Sequence, residues 1–220
     1  MGGARSRPHR MLAMLAVLLI LTLWLTTNAS AHPHVWIYVE TTFVVNDEGE
    51  LTAIRQKWTY DNLLTEAVLA QLRHDAPGQE PDIVAYARQR LRRLADQDYF
   101  MRVTAGERPL AINGVSDIAG QRVRDEIHLS FTATLAQAVR VTAAPVSLKV
   151  FDPTYYIEIL QDPDQPPAVA GAGNAHCTTQ VKYPQPSPAD YARALAIDSG
   201  VSVEPEFGAL FAEAAQLVCR

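Results

Sequence analysis

The sequence lacks the short motifs by which many enzymes are recognised. It contains no GxSxG nucleophile elbow, no HExxH zinc motif and no GxxxxGK[ST] phosphate loop. It has only two cysteines, and neither lies in a recognisable nucleophile context. We therefore expect a protein that is not an enzyme.

Basic residues are too few for a protein that binds nucleic acid. Lysine and arginine number 19 against 24 aspartates and glutamates, which gives a net charge of −5. The first 31 residues hold three arginines and no acid, so the remainder carries −5 − 3 = −8. This acidity excludes nucleic acid as a partner and makes any membrane contact peripheral at most. It suits a protein that handles cations.

Only one long apolar run occurs, and it lies near the N-terminus. Residues 11–25 are apolar apart from Thr22, follow a basic stretch and precede Ala29-Ser30-Ala31. Fifteen residues are short for a bilayer, which needs about 20. The pattern predicts a cleavable signal over residues 1–31, a periplasmic protein and a mature chain from His32. An uncleaved anchor helix is the alternative.

The order of patterns predicts one α+β domain over residues 32–220. Alternating apolar residues predict a hairpin over 34–45 and 51–60, and helical spacing follows over 61–73 and 81–95. Further strands come next, and the pattern over about 184–220 predicts two C-terminal helices. We expect a mainly antiparallel sheet, two helices after the first hairpin and two helices at the end.

The two cysteines, Cys177 and Cys219, both fall late in the chain. In an oxidising compartment two cysteines usually pair. We expect a disulfide that staples the C-terminal helical part to the rest of the domain. A thiolate metal site or a redox pair is the alternative, although the separation matches neither a CxxC pair nor a zinc knuckle.

The predicted mature N-terminus has the pattern expected of a metal ligand pair. On an extended segment His32 and His34 point to the same face, with Cα atoms about 7 Å apart. Neutral imidazoles bind zinc, nickel, cobalt and copper, and the α-amine of His32 would add a donor that favours copper. Pro33 lacks an N–H, which excludes full square-planar binding through backbone amides. The alternative is an exposed strand start without function.

Two histidines do not complete a site, because zinc takes three or four protein ligands. The candidates to complete it are His128, Asp61 and Asp152. His128 lies on the polar face of a predicted strand, where an exposed histidine without function is equally consistent. Asp61 follows a strand and is also suited to capping a helix. Asp152 lies in a predicted turn between strands.

Four segments together resemble a known family. They are His-Pro-His-Val-Trp-Ile at 32–37, Trp-Thr-Tyr-Asp at 58–61, Phe-Asp-Pro-Thr-Tyr-Tyr at 151–156, and the late cysteine pair. The chain resembles the bacterial domain-of-unknown-function family numbered one thousand and seven, whose members are labelled periplasmic components of ABC-type transport systems. The resemblance implies metal capture or delivery beside a nickel, cobalt or zinc permease.

The leading hypothesis is therefore a periplasmic accessory protein of a transition-metal transport system. Its metal would be zinc, nickel or cobalt, with copper as the variant, and its partner would be a membrane metal permease. Two other functions stay open. One is an interaction domain that docks on a permease without binding metal, and the other is the solute-binding component of an ABC transporter.

Overall fold

Strands dominate the described part of this protein. The structure is a computed structural model, and it describes residues 35–171, 176–197, 204 and 206–220. Within these residues the strands are β1 Val35–Val45, β2 Glu50–Tyr60, β3 Met101–Ala105, β4 Arg108–Leu110, β5 Ile112–Val123, β6 Glu126–Arg140, β7 Val146–Val150, β8 Ile157–Gln161, β9 Ala168–Ala170, β10 Cys177–Lys182 and β11 Ala214–Cys219. The α-helices are α1 Asn62–Asp75, α2 Ile83–Leu94 and α3 Pro188–Ala196, and 3-10 turns cover Ala95–Phe100 and Phe207–Leu210.

The strands form two sheets. The first sheet has the order β5-β6-β2-β1-β8, with β9 also paired to β1. Its pairs are antiparallel except that β8 and β9 run parallel to β1. The second sheet has the order β10-β11-β7-β3-β4 and is antiparallel throughout. Strand β1 therefore has β2 on one side and β8 on the other.

The predicted fold class is wrong in its sheet and in its final helix. One mainly antiparallel sheet was expected, whereas two sheets form, and the first contains parallel pairs. The segment expected as the last helix is the short turn Phe207–Leu210 followed by strand β11. Strand β11 lies between β10 and β7, so pairing on both sides overrides the helical preference of its alanines. The first hairpin and the two helices after it are present.

One hydrophobic core joins the two sheets. Strand β1 alternates strictly, and its inward residues Ile37, Val39 and Phe43 are buried. They belong to the same buried cluster as Leu148 and Leu217 of the second sheet. The opposite face of the first sheet is more exposed and polar, so it is the face available to ligands.

Capping side chains set the starts of the helices. Asp61 accepts from the backbone N–H of Leu64 to cap α1, and Asp82 accepts from that of Ala85 to cap α2. None of the helices in the described ranges is long and apolar enough to cross a membrane. The predicted signal at residues 1–31 lies outside the described residues.

Candidate site at the start of the first strand

Three segments that are far apart in sequence meet at one end of the first sheet. Ile37 of β1 pairs with Tyr60 of β2, and Val35 of β1 pairs with Ile157 of β8. The Trp-Thr-Tyr-Asp and Phe-Asp-Pro-Thr-Tyr-Tyr segments therefore flank the start of β1. His32 and His34 lie outside the described residues and precede Val35 in the sequence.

Asp61 fastens the start of β1 to the start of α1. Its Oδ1 accepts from the Leu64 backbone N–H at 2.6 Å, and its Oδ2 accepts from the Trp36 backbone N–H at 2.9 Å. The Asp61 backbone N–H in turn donates to the Trp36 carbonyl at 3.1 Å. An ionised carboxylate offers about four lone-pair positions, and these bonds use two of them. Asp61 is thus a structural cap that retains capacity for a cation.

Asp152 organises the turn on the other side of β1. Its Oδ1 accepts from the backbone N–H of Thr154 at 2.9 Å and from the Thr154 hydroxyl at 2.8 Å. Its Oδ2 accepts from the backbone N–H of Ile157 at 3.1 Å, where β8 begins. The side chain is buried, at 6% exposure. Three accepted bonds and this burial leave Asp152 less room for a metal than Asp61.

Glu158 is a third carboxylate at this end of the sheet, and the sequence prediction missed it. It is the register partner of Trp36, and its Oε2 accepts from the indole N–H at 2.7 Å. Its Oε1 accepts from the Tyr155 hydroxyl at 3.4 Å. The sequence did contain a signal for Glu158. It lies two residues after the Phe-Asp-Pro-Thr-Tyr-Tyr segment, on the polar side of the alternating strand β8.

His128 lies apart from these carboxylates. It is the register partner of Thr59, so β2 stands between it and β1 at about 10 Å, or two strand spacings. Its Nε2 is 3.3 Å from Glu126 Oε2, and its side chain is 14% exposed. In the ranges that the structure describes, no three histidine, cysteine, aspartate or glutamate residues are arranged to hold a metal ion. A ligand set that includes His32 or His34 extends beyond those ranges.

A family model described as "Protein of unknown function (DUF1007)" matches residues 17–219. The chain belongs to the DUF1007 family. It is also similar to an uncharacterised protein of Haemophilus influenzae, with 25% identity over 150 residues that cover 63% of this chain and 67% of the relative. The family resemblance predicted from the four segments is therefore confirmed, and neither description names a function.

The C-terminal segment of this DUF1007 chain packs against the turn that holds Asp152. Tyr155 stacks on Phe211 with ring centroids 4.1 Å apart and meets Phe207 edge-on. Burial, followed by the charge of Glu158, raises the pKa of Tyr155, so its hydroxyl stays protonated and donates to that carboxylate. The backbone N–H of Gly208 donates to the Pro153 carbonyl at 3.2 Å. The site therefore depends on residues from both ends of the described chain.

The predicted disulfide is confirmed. Cys177 and Cys219 are bonded, with Cα atoms 4.0 Å apart. They are register partners in β10 and β11, so the bond crosses two neighbouring strands of the second sheet. It joins strand to strand, whereas the prediction had it holding a C-terminal helix.

Proposed function

We propose that this DUF1007 protein is a periplasmic accessory protein that binds a divalent transition metal for a membrane permease. His32 and His34 are the primary ligands, and Asp61 is the first candidate to complete the set. One observation carries the proposal. The strand that follows the two histidines starts between Asp61 and Asp152, with Glu158 hydrogen-bonded to Trp36.

The charge at this end of the sheet supports the proposal. Three carboxylates surround the start of β1, and their hydrogen-bond donors in the structure are neutral N–H and O–H groups. Among the described residues no cationic side chain pairs with these carboxylates, so their negative charge attracts a divalent cation to the place where the histidines attach. Imidazole with carboxylate suits zinc, nickel and cobalt, and the α-amine of His32 would extend the set towards copper.

An exposed and incomplete site suits delivery better than catalysis. Trp36 is 36% exposed, which places the start of β1 at the surface. Few ligands at a surface give moderate affinity and a short path for release, as transfer to a permease requires. Because both imidazoles must be neutral, binding should fall by up to about tenfold per imidazole for each pH unit below about 6.5.

The test is native mass spectrometry of the exported protein with equimolar zinc, nickel, cobalt or copper. The decisive variant is His32→Ala/His34→Ala, and the matched control is His74→Ala/His176→Ala, which also removes two histidines, both from exposed positions. We expect one stoichiometric metal on the wild type and the control and none on the decisive variant. The intact mass also reports whether the chain begins at His32.

A second variant tests the third ligand. Asp61→Asn keeps an oxygen for capping but loses the negative charge. We expect its metal affinity to fall while its secondary structure is unchanged. Equal metal binding by the wild type and the histidine double variant would overturn the proposal.

A docking domain that binds no metal is the second candidate. It is favoured by Arg88, Arg92 and Arg93, which are exposed along α2 and form a basic surface in an acidic chain. The two functions differ in cells, where metal uptake or efflux in a strain that carries the histidine double variant would stay normal only for a docking domain. Replacement of the three arginines by glutamine would abolish transport in that case.

A further inference from the structure

A pocket on the second sheet has a positively charged lining, in contrast to the carboxylates at the start of β1. It holds about 430 Å³ and lies on the face of the sheet turned away from the buried Leu148 and Leu217. Its polar lining includes Lys149, Lys182 and Ser147. Gln185, Gln216 and Tyr183 are also polar, and no carboxylate lines the pocket among the residues that the structure describes.

Strand register places the two lysines in one row. Lys182 of β10 pairs with Ala214 of β11, and Ala214 pairs with Lys149 of β7. The two lysine Cα atoms are therefore about 10 Å apart, at two strand spacings. The alanine between them is small, which leaves space above the middle strand. Arg102 continues the row on β3, and its charge is paired with Glu206.

The pocket lysines have hydrogen-bonding capacity to spare. Lys149 Nζ donates to the Ala209 carbonyl at 3.1 Å, which uses one of its three N–H groups. Burial lowers the pKa of Lys149, and the charges of Arg102 and Lys182 lower it further. The acidic residue beside the row, Glu213, accepts from the Gln161 backbone N–H instead. Among the described residues no carboxylate pairs with Lys149 or Lys182, so an anion in the pocket would be the first to do so.

Neutral donors are placed to complete an anion site. Gln216 Oε1 accepts from Gln180 Nε2 at 2.9 Å, and within the described part of the chain the amide N–H groups of Gln216 donate to no other group. Ser147 and Tyr183 add hydroxyl groups to the lining. Two ammonium groups, an amide and two hydroxyls match the acceptor oxygens of a carboxylate or phosphate.

We propose that this pocket binds a small oxyanion ligand. Because the pocket holds two lysines in one row, a molecule with two carboxylates would place one at each ammonium group. The proposal is independent of the metal site, because it uses different residues on a different sheet.

Lysine composition makes the test specific. Lysine occurs at only three positions, Lys57, Lys149 and Lys182, so a protein labelled with ¹³C at the lysine ε-carbons gives three resonances. Lys57 lies on the first sheet with Glu40 as its partner and serves as an internal reference. The metal-free exported protein is titrated at constant ionic strength with succinate, with inorganic phosphate and with neutral succinamide.

We expect succinate to shift the Lys149 and Lys182 resonances to saturation and to leave Lys57 in place, whereas succinamide shifts none. The exposed Lys182→Met variant should lose about tenfold in affinity, and Lys57→Met should lose nothing. Tighter binding of phosphate, with the same two shifts, would support the pocket and assign it to a single compact oxyanion. Equal small shifts of all three lysines with both anions, or unchanged affinity in Lys182→Met, would overturn the proposal.

Discussion

Asp61 is predicted to stabilise the fold by more than a helix cap does. Its two carboxylate oxygens serve different elements, because Oδ1 caps α1 and Oδ2 accepts from the Trp36 backbone N–H in β1. Loss of an N-cap costs about 1 kcal/mol. Loss of a hydrogen bond to a charged group adds about 1.5–3 kcal/mol. We therefore expect Asp61→Ala to lower the free energy of unfolding by about 2.5–4 kcal/mol.

Asp82 provides the matched control. It caps α2 through one bond to the Ala85 backbone N–H at 2.8 Å and is exposed. Asp82→Ala should therefore cost only about 1 kcal/mol. The stability cost of Asp61→Asn should lie between the costs of Asp61→Ala and Asp82→Ala, because asparagine caps as well as aspartate but offers a single neutral oxygen.

The assay is urea denaturation of the chelator-treated protein, with metal absent so that binding does not add to stability. The denaturant slopes of the three variants must agree with the wild type for the differences to be compared. If Asp61→Ala and Asp82→Ala cost the same, the bond to Trp36 contributes nothing, and the structural role assigned to the Trp-Thr-Tyr-Asp segment is refuted.

Three further predictions concern the C-terminal region. Replacement of Cys177 and Cys219 by serine should cost about 4 kcal/mol in urea denaturation, since the bond spans 42 residues; a loss below 1 kcal/mol would contradict this. Gly208→Ala should cost about 1–3 kcal/mol, because its Cβ would lie 1.9 Å from the Asp152 carbonyl oxygen, and a neutral effect would refute that packing. Burial, with the Glu158 charge, raises the pKa of Glu213 above 4.5, so its contribution to stability is lost as pH rises through the folded pKa. Glu213→Gln should therefore gain stability relative to the wild type as pH rises above 4.5, and a constant difference would contradict this.

Local signals predicted the first half of the fold well. The first hairpin has strict alternation in β1 and an Asn-Asp-Glu-Gly turn, and α1 and α2 have capping aspartates. These features lie within a few residues of the structure that they specify. A reading of the sequence therefore recovers them without knowledge of the tertiary fold.

Strands β5 and β11 are difficult to predict from the sequence because their structure depends on distant partners. Strand β5 contains two glycines and two register shifts, which break the alternation that identifies a strand. Strand β11 is rich in alanine, a residue that favours helices. It becomes a strand because β7 and β10 pair with it on both sides. Without β11 the second sheet is not recognisable from the sequence, and without β5 the first sheet lacks its edge strand.

The sequence pointed to two of the three carboxylates at the start of β1, because the third comes near β1 only through pairing with a distant strand. Asp61 was a candidate because it ends an aromatic segment and Asp152 because it lies in a predicted turn, and the structure places them on either side of β1. Glu158 reaches the group only through its parallel pairing with Trp36, which local patterns do not reveal. His128 has the right chemistry, but the register places it two strands away.

The structural roles of these carboxylates determine how metal-binding experiments on their variants must be interpreted. Asp61 and Asp152 each hold backbone N–H groups at the strand ends, so either alanine variant would disturb β1 or β8 even in a protein that binds no metal. Loss of metal binding in such a variant therefore does not identify a ligand. A ligand role requires that affinity fall further than the stability measured without metal accounts for. Asp61→Asn meets this requirement best, because it preserves the cap and removes the charge that the proposed metal site requires.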